Sequence, residues 1–489
     1  MGEGSLISKT RKNLLLQTAY QIVNTCIPLI TAPYLARVLG AAPLGVFSYT
    51  TSVVTYFTLF AMLGTINYGT RSIAAVKDNK EQTASTFLEI FIIQLMASLL
   101  ALICYCIYLN WFCSNNKIIA TIQIIAIASC FFDISWFFFG MEDFRVTVTR
   151  SLIIRILSVI AILILVKAPD DLWIYTLIML SGTLLSQVVL WFYLDKYICL
   201  KKVRVSDLRK HIKPNLILFI PLLAMSVYHI MDKTMLGLLS SFLESGYYYN
   251  SDKVINIPVG ILSGIGTVML PRMTALLSSN KEKEGTRLYV LTLEGVTAFS
   301  VAISLGIAGI AREFTPFFFG PGYEDCIVLI IVSSPVLIIK GISLTTRNQY
   351  FIPYKLESIF IKSVFLGATV NLLVNILLIP KHGALGAVIG TLIAEFIACA
   401  YQLIKINDKL RLQEFFNRSV GYLLIGIVMI VIVRLVALLS CPIAIKLILE
   451  IIVGAIVYIA GCLIYWKKTK NDLYYLSVSC LPNSARKNQ

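Results

Sequence analysis

The sequence predicts an all-α protein that crosses a membrane about fourteen times. Three observations predict it. Of the 489 residues, 58% are hydrophobic and 14% charged, where soluble domains run roughly 45–50% apolar and about 25% charged. Mean hydropathy is +0.82. Apolar runs of the roughly 17–25 residues that span a bilayer recur along the chain, and basic residues crowd into every second connection between them, as the positive-inside rule requires.

The first apolar run, 13–39, follows Lys9, Arg11 and Lys12 and is too long for a cleaved signal peptide. Further spans are expected at 44–66, 87–109, 118–139, 151–167, 172–194, 215–238, 251–270, 289–310, 326–346, 357–379, 384–404, 419–440 and 443–466. One set of connections holds most of the basic residues, including Arg71, Lys77, Lys80, Arg145, Arg150, Arg272, Lys281, Arg347, Lys405 and Lys467, and the strongly basic loop 195–214. The other holds Lys117, Lys167, Arg312, Lys381 and Lys446, with Arg37 at a helix end. This asymmetry places both termini in the cytoplasm. It also accounts for the net charge of +16 without a nucleic-acid partner. The eleven cysteines show no metal-ligand spacing and sit mostly in apolar spans, where they act as small apolar residues.

A repeat relates the first two spans to the seventh and eighth. Gly45 precedes the aromatic run VFSY and Gly246 precedes YYYN. An offset of 201 residues joins Gly45 to Gly246, Arg71 to Arg272, Ala74 to Ala275 and Asn79 to Asn280. A parallel repeat of this kind predicts two pseudo-symmetric six-helix lobes, 1–200 and 201–405, followed by two appended helices and a tail, 406–489. A ligand site is then expected between the lobes.

Ionisable groups inside spans are costly and usually face a partner or a wet cavity. Asp232, Lys233 and Lys253 occur in one hairpin, Met225–Met273. With Arg37 near the same end of its span and Lys340 deep in the tenth, they predict a cationic path with one carboxylate, suited to an anion such as phosphate. Arg71 and Arg272, at matching inner helix ends, are candidates for an inner gate. Asp232, Glu294 and His229 are candidates for ion or proton coupling.

Each has a plainer reading. Arg37, Lys253, Lys362 and Arg155 also fit side chains snorkelling to the interface. Asp232 also fits a structural lock to Lys253, and Asp133 a cap or a partner of Arg145. Glu294, Glu395, Glu450, Asn371 and Asn375 also fit helix-to-helix hydrogen bonding. Pro28, Pro33, Pro221, Pro258 and Pro335 predict bends. No catalytic set, metal cluster, phosphate-cradling loop or nucleotide motif is present, so no enzyme activity and no cofactor is expected.

The stretches PYLARVLGAAPLGVFSY (33–49), MDKTMLGLL (231–239), GYYYNSDKVINIP (246–258), VMLPRM (268–273) and IPKHGALGAVIGTLIAE (379–395) resemble the polysaccharide flippases of the multidrug/oligosaccharidyl-lipid/polysaccharide exporter superfamily. The resemblance extends over nearly the whole chain. It implies two helical bundles forming a V in a bacterial cytoplasmic membrane. It also implies an undecaprenyl-pyrophosphate-linked oligosaccharide as substrate, with polysaccharide polymerase and chain-length proteins as associates. Arg37, Asp232, Lys233 and Lys253 fall in the matching stretches and inherit a cavity-lining role; Lys340 does not and rests on its depth alone. Two rivals stand beside this reading. One is a cation-coupled drug exporter of the same fold, disfavoured by the excess of Lys and Arg. The other is a membrane polymerase or ligase, which would need a larger outer loop than 237–250 or 311–325.

Overall fold

The computed structural model describes residues 27–113, 116–197, 205–410 and 412–474, without the side chains of 205, 206, 221, 224, 227, 229, 267 and 408–410. The described residues are helical with short connections. In order they form α1 (Ile27–Leu39), then α2 (Ala41–Met62), α3 (Thr65–Val76), α4 (Lys80–Trp111), α5 (Lys117–Ile122), α6 (Ile124–Phe132), α7 (Ser135–Gly140), α8 (Phe144–Leu165) and α9 (Leu172–Leu194). These are followed by α10 (Val205–Leu239), α11 (Phe242–Ser278), α12 (Glu282–Phe318), α13 (Asp325–Ser333), α14 (Val336–Thr346), α15 (Glu357–Leu410), α16 (Gln413–Val436) and α17 (Ile443–Lys468).

Among the described residues, eleven helical stretches are long and apolar enough to cross a membrane. The expected spans at either end of 357–404 form one of them, because α15 is two helices merged at Gly383, whose φ of 52° and ψ of −128° are non-helical. Its arms run antiparallel. Gln402 Nε2 donates to Ser363 Oγ at 2.8 Å, and a Cβ on Gly386 would lie 2.6 Å from the Leu378 carbonyl. The expected first span is described from Ile27 onward; Lys9, Arg11 and Lys12 lie outside the described residues.

Two spans are more broken than their hydropathy suggests. The fourth is divided into α5, α6 and α7. At its second break Gln94, fully buried in α4, replaces the lost helix bonds. Its Nε2 donates to the Cys130 and Asp133 carbonyls at 2.7 and 2.9 Å, and its Oε1 accepts from Trp136 Nε1 at 2.9 Å. Asp133 takes the capping role, accepting from the Ser135 amide at 2.9 Å. The tenth is bent at Pro335 and ends in a π-helical turn, Arg347–Phe351.

The chain divides into two compact units, residues 1–249 and 250–489, with the boundary inside α11. The first reaches past residue 200 because α10 packs on α2 and α4. One of its cores gathers Phe87, Trp136, Phe137 and Leu190, and another Leu35, Leu44, Phe47, Ile162 and Tyr175. In the second unit Tyr289, Leu293, Tyr350 and Leu403 form one core and Val301, Tyr422, Met429 and Tyr458 another. Large aliphatic side chains such as Leu100, Ile103, Ile164, Leu424 and Ile456 remain exposed, as helices facing lipid require.

Candidate functional site

In the first unit a polar strip interrupts the apolar face of α10 at residues 232–234. Neighbouring residues on a helix point about 100° apart, so Asp232 and Lys233 meet different partners. Asp232 is 4% exposed and accepts from Tyr248 Oη at 2.6 Å. Lys233 is half-buried, its ammonium 5.8 Å from the centre of the Tyr249 ring, a cation–π approach. Thr234 Oγ1 donates to Ser52 Oγ on α2 at 2.9 Å and lies 3.5 Å from Tyr56 Oη. The start of α11 therefore supplies the rings that receive the charges of α10, and α2 supplies hydroxyls.

Glycine fixes this arrangement. A Cβ on Gly45 would lie 1.7 Å from the Phe242 carbonyl oxygen, and one on Gly246 would lie 1.9 Å from that of Ala41. Backbones so close admit no side chain, and the approach brings Tyr248 and Tyr249 within reach of α10. Gly237 plays the same part toward the Tyr49 ring, 2.2 Å from its built Cβ.

Arg37 is exposed on α1, one turn beyond Tyr34, whose hydroxyl is tied to the Val166 carbonyl at 2.6 Å. Arg71 is exposed on α3. The side chain of His229 lies outside those described.

In the second unit Lys253 is half-buried on α11 and Arg272 is exposed near its end. Lys340, on α14, lies 3.4 Å from Glu395 Oε1 on the second arm of α15. A polar ladder continues beside it: Ser343 Oγ donates to Gln402 Oε1 at 3.0 Å, and Gln402 reaches Ser363. Glu294 is fully buried between Arg418 Nη1 at 2.9 Å and Asn471 Nδ2 at 2.8 Å. Glu450 is buried with neither carboxylate oxygen hydrogen-bonded. The structure thus joins Asp232 and Lys233 to one aromatic pair and Lys340 to Glu395, and gives Glu294 partners on other elements.

Two constellations escaped the sequence reading. Glu89 Oε2, buried in α4, lies 2.6 Å from His211 Nε2 and 2.9 Å from Lys210 Nζ, while His211 Nδ1 lies 2.7 Å from Tyr68 Oη. The signal was available, since Glu89 is an acid within an apolar span, but Lys210 and His211 read as loop. The second is a cavity of 370 Å³ between α8 and α9 lined by Arg150, Arg155 and several hydroxyls. Beside it, outside the spans, Tyr197 Oη donates to Asp143 at 2.6 Å. Burial, with that carboxylate, pushes its phenol up to about 12.

Residues 10–277 match the family described as polysaccharide biosynthesis protein. Over 406 residues the chain is 24% identical to a putative O-antigen transporter of Escherichia coli, covering 82% of this chain and 97% of that protein. Over 305 residues it is 26% identical to the capsular polysaccharide biosynthesis protein CapF of Staphylococcus aureus, covering 58% and 74%. Among solved structures, the lipid II flippase MurJ in an inward closed conformation superposes with a TM-score of 0.74 at 15% identity, over 93% of this chain and 99% of that one. An inward-facing multidrug resistance MATE family transporter superposes at 0.58 and 13% identity, over 79% and 96%.

Proposed function

The chain belongs to the polysaccharide biosynthesis protein family, and from that premise we propose that it carries a lipid-linked oligosaccharide repeat unit from the inner to the outer leaflet of a bacterial cytoplasmic membrane. Undecaprenyl pyrophosphate is the lipid carrier in this reading, and both termini are cytoplasmic. The names of the O-antigen and capsular relatives support the cargo class. The observation that carries the reading is the polar strip on α10, a buried Asp232 beside half-buried Lys233 and Thr234, in a chain with many apolar helices long enough to cross a membrane.

A saccharide forced through hydrocarbon would lose hydrogen bonds at several kcal/mol each. A path of hydroxyls and charges replaces them while the lipid tail stays in the bilayer. Arg37, Lys233, Lys253 and Lys340 would attract the pyrophosphate, and Asp232 would hold Tyr248 in place and remain the coupling candidate. For Lys340 to bind phosphate, it must exchange Glu395 for the ligand. Arg71 and Arg272 would guard the inner mouth as the lobes, 1–200 and 201–405, alternate. Outward movement of each negative charge is favoured by about 2.3 kcal/mol per 100 mV of inside-negative potential, so no bound nucleotide is required. The MATE transporter shares the fold, but among the candidate site residues cations outnumber acids, which fits an anionic cargo better than a cationic drug.

The test is K233Q, R37Q and K340Q in cells, reading surface polysaccharide against the amount of inserted protein. A charge-assisted hydrogen bond contributes about 1.5–3 kcal/mol, so each variant should lower export by roughly tenfold or more at unchanged protein level. Full export in all three would overturn the assignment.

A further inference from the structure

The cavity between α8 and α9 is unlike the rest of the spanning surface. Its 370 Å³ are walled by Arg150 and Arg155, by Ser151, Ser158 and Thr183, and by Gln187, with no carboxylate among its lining residues. A second cavity of 530 Å³ shares Arg150 and Ile154 with it and adds Arg145 and Lys196. The acid there, Asp143, already accepts from Tyr197. Four cations therefore follow one another along two adjoining cavities.

Arg150 is held in a fixed pose. Its Nη1 donates to the Ser186 carbonyl and, at 3.2 Å, to Gln187 Oε1, while Nη2 reaches Ser151 Oγ at 3.3 Å. It also feels the charge of Asp133. A guanidinium offers five donors in a rigid fork. Arg155, five residues on and about 7.5 Å farther along the helix axis, lines the same cavity and is exposed. Gly182 lets α9 approach Ser158 on α8 closely: a Cβ there would lie 2.6 Å from Ser158 Oγ. Between them, α8 and α9 have the lowest buried share of the apolar spans, 11% each, so the cavity walls are reachable from outside the helix bundle of the first unit.

We propose that the α8–α9 cavity is an anion site for a phosphate ester bearing adjacent hydroxyls, separate from the α10 strip. Arg150 and Arg155 bind the phosphate oxygens, and Ser151, Ser158, Thr183 and Gln187 bind the hydroxyls. Two sources carry this chemistry: a sugar phosphate and a glycerol-headed phospholipid.

The experiment measures binding to the full chain, purified in detergent, of glucose 1-phosphate in one arm and of phosphatidylglycerol, by native mass spectrometry, in the other. R155Q removes an exposed cation and leaves packing intact. G182V drives a side chain against Ser158, crowding the cavity wall, and leaves every charge in place. Both are expected to weaken binding about tenfold in at least one arm, and the arm affected identifies the source. R155K is expected to restore part of the loss, since a point charge replaces the fork. Binding unchanged by R155Q and G182V in both arms overturns the site. The readout involves no transport, so this inference and the flippase reading can fail separately.

Discussion

The segments 41–76 and 242–278 hold matching places in the repeat, yet one is broken and the other is continuous. In the first, α2 ends at Met62 and is followed by Leu63, with a φ of 44°, and α3 starts after Gly64, with a φ of 77°. The matching positions, Gly264 and Ile265, lie inside the unbroken α11, which also absorbs Pro258 and Pro271. Where the segments begin, they behave alike. Gly45 lies against Phe242 and Gly246 against Ala41, and Ala41 and Phe242 are themselves 201 residues apart. The contact is thus self-complementary, the signature of a local twofold. Repeat-related sequence sets the contact at this crossing, and local backbone chemistry then lets the two segments diverge.

The largest effect should come from the shared crossing. G45V and G246V each force a side chain into a backbone carbonyl, and overpacking of this severity costs about 3 kcal/mol or more. Thermal unfolding in detergent should show comparable losses for both; a tolerated substitution at either position would break the self-complementary contact. The next effect separates the segments. G64A puts a side chain on a left-handed residue whose Cβ would sit 3.1 Å from Phe219 Cα, at a cost of about 1–2 kcal/mol. G264A meets nothing within 4 Å and should gain about 0.5–1 kcal/mol of helix stability. Equal effects in the same unfolding experiment would mean that the two backbones do not differ.

A smaller contrast lies beyond α3, where α4 begins. Asn79 caps α4, accepting from the Glu81 and Gln82 amides at 3.1 and 3.2 Å, whereas Asn280 has a left-handed φ of 57°. N79A should lose about 1 kcal/mol, while N280G, which only relieves the backbone, should be neutral or slightly stabilising; melting temperatures of the two variants check this. Least change in stability is expected for R71Q and R272Q, both exposed, at under about 0.5 kcal/mol. Export in these variants should nonetheless fall together if they share a gate, and a fall in one alone would show that the repeat does not extend to it.

Much of the fold was legible because spanning a bilayer leaves its mark on composition and length. The turn at Gly383 falls between two expected spans, and α8 merely starts seven residues before its expected beginning. Pairing was less legible. The sequence offered Asp232 a lock to Lys253 or a place in a cavity, and gave no sign of the Tyr248 hydroxyl, which emerges only once the Gly45–Gly246 crossing sets the rotation of α11. Lys340 and Glu395 lie on different helices, as do Glu89 and His211, 122 residues apart. Such pairs depend on where each helix turns its face, and one residue of error rotates that face by about 100°. The Arg150–Arg155 cavity was missed for a related reason: its hydroxyls are dispersed along α8 and α9 and converge only when the helices pack.

The measurement that bears most directly on function is the leaflet distribution of the lipid-linked repeat unit, read with a probe confined to the outer face, in cells with the chain, without it, and with K233Q and K340Q combined. Outward transfer through the charged path predicts outer-leaflet material in the first case and its retention on the inner leaflet in the other two. An outer-leaflet fraction that is the same in all three would contradict it.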